Sequence, residues 1–223
     1  MNNFSITNRR EDRLANIPMS EISPRLYNMI IGGVIVSGFL LNILMAHFFT
    51  AQIMAVNFIL LLVIYFVGSI GCIILVHKSD DPVVSYLGFL GLSCCMGLLM
   101  TYFFSAYSLG TVEMAFLITG IITLLMTMLA GVWPKFFLGL GRVLFISLIG
   151  AILIEVIFRL ILGFDLAIMD YIVVLIFSGY IGLDWARAQA YPKTLNNAVD
   201  CAADLYIDIV NILIRIMSIL GDR

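Results

Sequence analysis

The residues in this sequence best placed to do chemistry are carboxylates in apolar surroundings. Asp200, Asp204, Asp208, Asn211 and Arg215 recur at intervals of four, four, three and four residues. On a helix that advances 100° per residue they share an arc of about 80°. The opposite face carries Leu205, Ile209, Ile212, Leu213 and Ile216, so this reads as a helix buried in a bundle with its polar stripe turned inward. Another aspartate, Asp184, follows the run Phe177-Ser178-Gly179-Tyr180-Ile181-Gly182-Leu183. Asp184 and Asp208 are symmetric about Asn196, which falls in the expected turn, so an antiparallel hairpin brings both to similar depth. Two carboxylates side by side in low dielectric cannot both ionise cheaply, and such a pair tends to share one proton. Protonated, it holds two helices together; deprotonated, it repels and offers oxygen ligands to a cation such as Ca²⁺. The same residues also admit a structural arrangement, with Asp184 bonding backbone near the membrane interface and Asp208 paired to Arg215.

Other charges sort by depth along the same helices. Glu155 and Arg159 stand four residues apart, the spacing of an ion pair on one helix. Glu113, Asp165 and Asp170 fall near the external ends of their helices, where they form either an acidic mouth that concentrates cations or ordinary solvated ends. Arg142 lies one to two turns into a helix from the cytosol and either snorkels or reaches an inward aspartate. Cys72, Cys94, Cys95 and Cys201 lie in apolar stretches without zinc spacing and read as small packing residues. Gly33 with Ser37, Gly91 with Cys95, and Ser178 with Gly182 place small residues four apart, the pattern of close helix packing.

The elements that carry these residues are membrane helices. Of the 223 residues 62% are hydrophobic and 12% charged, far from the composition of a soluble domain. A net charge of −2 with scattered Lys and Arg argues against nucleic acid as a partner. Seven apolar runs meet the length of about 20 residues that crossing the bilayer requires. They cover roughly 27–48, 53–76, 82–107, 111–132, 136–158, 166–190 and 198–220. Trp133-Pro134-Lys135 closes the fourth, where an interfacial aromatic, a helix stop and a positive charge coincide. The expected fold is an all-α integral membrane protein, a bundle of about seven transmembrane helices. Residues 1–26 form a polar cytosolic tail and 27–223 a single membrane domain. With the tail inside, Lys78, Lys135, Arg187 and Lys193 also fall on cytosolic loops, as the positive-inside rule demands. Arg159 and Arg223 lie on the far side, and seven spans put the C-terminus there unless the last run is re-entrant.

Phe177-Ser178 with Tyr180 and Asp184, then Ala202, Leu205-Tyr206-Ile207-Asp208 and Asn211, resemble the Bax inhibitor-1, or transmembrane Bax inhibitor motif, family, in particular its bacterial branch. The 24-residue separation of the two aspartates matches as well, and Ala115-Phe116 with Thr119 matches more weakly. The resemblance implies a seven-helix bundle in a bacterial plasma membrane acting as a pH-sensitive Ca²⁺ leak, with Asp184 and Asp208 as its sensor and transient Ca²⁺ ligands. In eukaryotic relatives it implies protection against cell death. The family often has an arginine near the ends of helices two and three that latches the helix-six aspartate. Here only His77 and Lys78 stand there, and Lys78 cannot make the bidentate contact of an arginine. Lys78, Arg142, Asp204, Asn211 and Arg215 are the candidate latch or pore-lining residues.

The expected protein is therefore not an enzyme and holds no cofactor; its partners are the lipid bilayer, protons and Ca²⁺ as the transported ion. Two other classes stay open. One is a non-conducting scaffold that regulates a partner such as a membrane protease. The other is an intramembrane aspartyl protease, against which stands Gly-Leu-Asp at 182–184 where Gly-x-Gly-Asp is expected. A proton-coupled transporter fits less well, since no inverted repeat is visible.

Overall fold

The computed structural model describes residues 21–163 and 166–221. Among them every regular element is a helix. They are α1 (Pro24–Phe48), α2 (Thr50–Met54), α3 (Phe58–Lys78), α4 (Pro82–Ala106), α5 (Leu109–Val132), α6 (Pro134–Gly139), α7 (Gly141–Ile157), a π-helical turn (Phe158–Leu162), α8 (Ile168–Ala190) and α9 (Leu195–Leu220).

Local chemistry sets the boundaries. Ser23 caps α1 ahead of Pro24, Asn57 accepts from two amides at the start of α3, and Ser108 caps α5, each satisfying amides that a helix start leaves open. The Trp133-Pro134 step ends α5 and starts α6. Gly163 closes the π turn with φ +74°, a left-handed conformation in which only glycine escapes the Cβ clash.

Among the described residues five helices are long and apolar enough to cross a membrane: α1, α3, α4, α5 and α8. The expected count of seven is approximate at two places. The fifth run is divided into α6, the 17-residue α7 and the π turn. The seventh, α9, has 26 residues, about 39 Å at 1.5 Å per residue, but its charged stripe breaks the apolar pattern. From Asn196 to Ile219 no residue of α9 is exposed, whereas α3 and α5 present rows of exposed Ile, Leu, Val and Phe. Exposed aliphatic rows are what a lipid solvent requires of the outer helices, and burial on every face is what lets α9 carry charge.

The chain forms two compact units. The first takes in α1 to α4 as far as Thr101, together with Ala188–Asp204; the second takes in Tyr102–Arg187 and the chain from Leu205 onward. In the first unit α1 docks on α4, where the Asn42 amide donates to the Ser93 carbonyl at 2.8 Å beside the notch at Gly97 that Met45 fills. In the second unit Ala130, Phe137 and Ala186 form a core with Met126, Leu140 and Trp185. Phe137 packs directly into the groove at Gly182, and Leu144 covers Gly179. Sequence spacing finds the groove at Gly182; Gly33, by contrast, has no neighbour within 4 Å of a built Cβ and takes no part in helix packing.

Candidate functional site

Asp184 and Asp208 both belong to the second unit. Asp208 is 5% exposed on α9, and Asp184 is half-buried in the last turns of α8. Tyr180 stands one turn before Asp184 on α8, its ring tilted against Phe177 at 6.0 Å between centroids. Asp184 Oδ1 accepts from Arg187 Nη1 at 3.1 Å, a contact within one helix three residues apart. The residues of this corner thus comprise two carboxylates, a phenol and a guanidinium.

Arg215 sits two turns further along α9 and answers to other partners. It grips both oxygens of Glu155 at 2.9 and 2.8 Å and donates to Asp170 Oδ1 at 2.8 Å. Ser218 donates to Asp170 Oδ2 at 2.8 Å. This corrects several sequence expectations. Asp170 is 4% exposed and belongs to a buried charge cluster rather than an acidic mouth. Glu155 is held by Arg215 of α9, where i,i+4 spacing points to Arg159. Arg215 is therefore not the partner of Asp208. The physical reason is the planar guanidinium fork, which rewards two carboxylates in one plane and is costly to bury with fewer. Glu113 is exposed near the start of α5; Asp165 lies outside the described residues.

The first unit holds the other end of the polar stripe. His77 Nε2 meets Asp204 Oδ1 at 3.2 Å, an ion pair when the imidazole is protonated. Lys78, its neighbour, is exposed, so the side chain that reaches α9 from the end of α3 is His77. Arg142 is likewise exposed on α7, and Asn211 donates to the Ile207 carbonyl of its own helix at 2.8 Å.

Sequence reasoning missed a polar knot around the start of α9. Asn196 is fully buried, donating to the Ser79 carbonyl at 3.2 Å and reaching Asp200 at 3.5 Å, while its Oδ1 accepts from Ser85 at 2.8 Å. Asp200 is fully buried too. Lys193 closes the end of α8 by donating to the carbonyls of Ala188, Gln189 and Tyr191 at 2.8, 2.7 and 3.2 Å, the usual role of a cation at a helix C-terminus. Its ammonium also lies over the Tyr27 ring, 4.8 Å from the centroid. Burial holds the Lys193 pKa below the ordinary lysine value, partly offset by electrostatic attraction to Cys201 and Glu21. The signal was present in Asn196-Asn197 one turn before Asp200, two amides adjoining a buried helix start.

Among the described residues no group of three or more His, Cys, Asp and Glu side chains is arranged to hold a metal ion. A polytopic helical chain, with a half-buried aspartate near the end of α8 and a buried one on α9, narrows the families it can join. A family model described as inhibitor of apoptosis-promoting Bax1 matches residues 20–223. The chain belongs to the Bax inhibitor-1 family. No curated protein matches it. In this Bax inhibitor-1 protein the guanidinium that engages the α8 aspartate is Arg187, from the next turn of the same helix.

Proposed function

We propose that this Bax inhibitor-1 protein is a pH-sensitive Ca²⁺ leak gated by protonation of Asp184 and Asp208. The observation that carries the reading is the placement of two sparingly exposed aspartates in one compact unit: Asp208, 5% exposed on α9, and Asp184, half-buried in the last turns of α8. With one proton between them the carboxyl groups attract, and α8 stays against α9. On losing that proton, two negative charges in low dielectric repel and turn oxygen acceptors toward a cation entering from solvent. Arg187 tempers the repulsion by neutralising part of Asp184. Ca²⁺ takes six to eight oxygen ligands when held firmly; two carboxylates bind it weakly enough to let it pass, as conduction requires.

The same reading puts the protein in a bacterial plasma membrane with its N-terminus in the cytosol, supported by the placement of Lys78, Lys135 and Lys193 at alternate turns of the chain.

Ca²⁺ flux into liposomes containing the full chain tests the gate. Flux should change with pH across the mildly acidic to neutral range. In the Asp184→Asn, Asp208→Asn double variant the pH dependence should flatten. A gate shift of about 1.4 kcal/mol changes the open population tenfold, so an effect of that size is the expectation. Flux and pH profile identical to the parent protein in that variant would remove the aspartate gate.

A further inference from the structure

We propose that Cys72 and Cys95 are a paired modification site, a dithiol that a lipid-soluble two-electron oxidant of the quinone class converts into a disulfide joining α3 to α4. The pairing rests on reciprocal packing. A methyl built on Gly91 would lie 2.8 Å from Cys72 Sγ, and one built on Gly68 would lie 2.6 Å from Cys95 Sγ. Each thiol therefore occupies the notch that a glycine leaves on the facing helix, in one antiparallel register: Gly68 opposite Cys95, Cys72 opposite Gly91. Glycine at the facing positions lets the backbones approach, and a disulfide needs that approach, with Cα atoms no more than about 7 Å apart.

Depth selects the oxidant. Cys72 stands six residues before the end of α3 at Lys78, about 9 Å along the axis at 1.5 Å per residue, and both thiols are half-buried among apolar side chains. Membrane quinones reach such a site and small ionic oxidants do not. In the reaction two S–H bonds break and one S–S bond forms. Two electrons and two protons pass to the quinone oxygens, giving a hydroquinone. Cys94 is exposed, and Cys201 accepts from the Tyr27 hydroxyl at 3.5 Å, so neither competes for the partner thiol.

The full chain in lipid vesicles, treated with duroquinone, provides the test. Its fully substituted ring suppresses adducts with thiols. After denaturation the protein should show two maleimide-reactive thiols in place of four, a mass loss of two hydrogens, and a Cys72–Cys95 peptide link that dithiothreitol reverses. Cys94→Ser should preserve the link, and Cys72→Ser or Cys95→Ser should abolish it. Retention of all four thiols in the parent protein would overturn the proposal, as would a link through Cys94 or between two chains. The peptide mapping of the parent protein decides the matter independently of how the variants fold.

Discussion

Arg215 shows what a single side chain decides in this protein. It is one guanidinium against Glu155 and Asp170, so removing it leaves two carboxylates in one buried cluster without their cation. Breaking a fully buried pair costs about 3 to 5 kcal/mol, and with Arg215 and Glu155 26% and 22% exposed the loss here belongs at or below the lower end of that range. Arg215→Ala should lower stability by that order in a denaturant titration in micelles, and Ser218→Ala by much less; equal, small losses would mean that the cluster is solvated. Lys193 makes a pH prediction of the opposite kind. Its folded-state pKa lies below the ordinary 10.5, so between the two values the unfolded chain binds the extra proton and stability rises with pH. The contribution is fully present above 10.5 and is lost as pH falls through the folded value. Compared with Lys193→Arg, which stays charged, the parent protein should gain relative stability as pH rises toward the lysine range. A constant difference between the two across alkaline pH would contradict this. Spacing along the sequence exposed all of the charged residues in the Arg215 cluster but joined them wrongly, because i,i+4 rules see one helix and the guanidinium reaches across three.

Helix pairs are governed by small residues, and only some of the small residues count. Gly91 and Gly68 are filled by cysteine thiols, Gly88 by Val76, and Gly182 by Phe137. Gly33 and Gly120 face open space. A branched side chain at Gly91 must push α3 away from α4, and overpacking of this kind costs about 1 to 3 kcal/mol. The same change at Gly33 should stay within about 0.5 kcal/mol. Thermal unfolding of Gly91→Val and Gly33→Val in micelles compares them directly, and equal midpoints would show that the α3–α4 contact is loose. The small-xxx-small pattern at 33 and 37 is indistinguishable in sequence from that at 91 and 95. What separates them is whether a second helix lies opposite, which spacing does not encode.

At the scale of the molecule, α9 sets the topology to be tested. A helix of 26 residues is long enough to cross the hydrocarbon, and on a seven-span topology single cysteines placed in a cysteine-free background at the α3–α4 turn and after α9 should be labelled by an impermeant maleimide from opposite sides. Labelling of both from one side would make α9 re-entrant. Composition and hydropathy alone determined that this is a helical membrane chain, where its apolar runs fall, and that its last helix carries a polar stripe along one face; that α9 is buried on its aliphatic face as well was decided by the fold. The former properties follow from the cost of exposing backbone and charge to hydrocarbon, a cost that each segment meets on its own. The family was legible in the residues around Asp184 and Asp208. Tertiary structure alone decided that Asp170 is buried against Arg215, that His77 and not Lys78 meets Asp204, and which glycines are packing notches. Such choices depend on which side chains face each other across separate helices, and pairwise electrostatics and packing act through space, with no regard to distance along the chain.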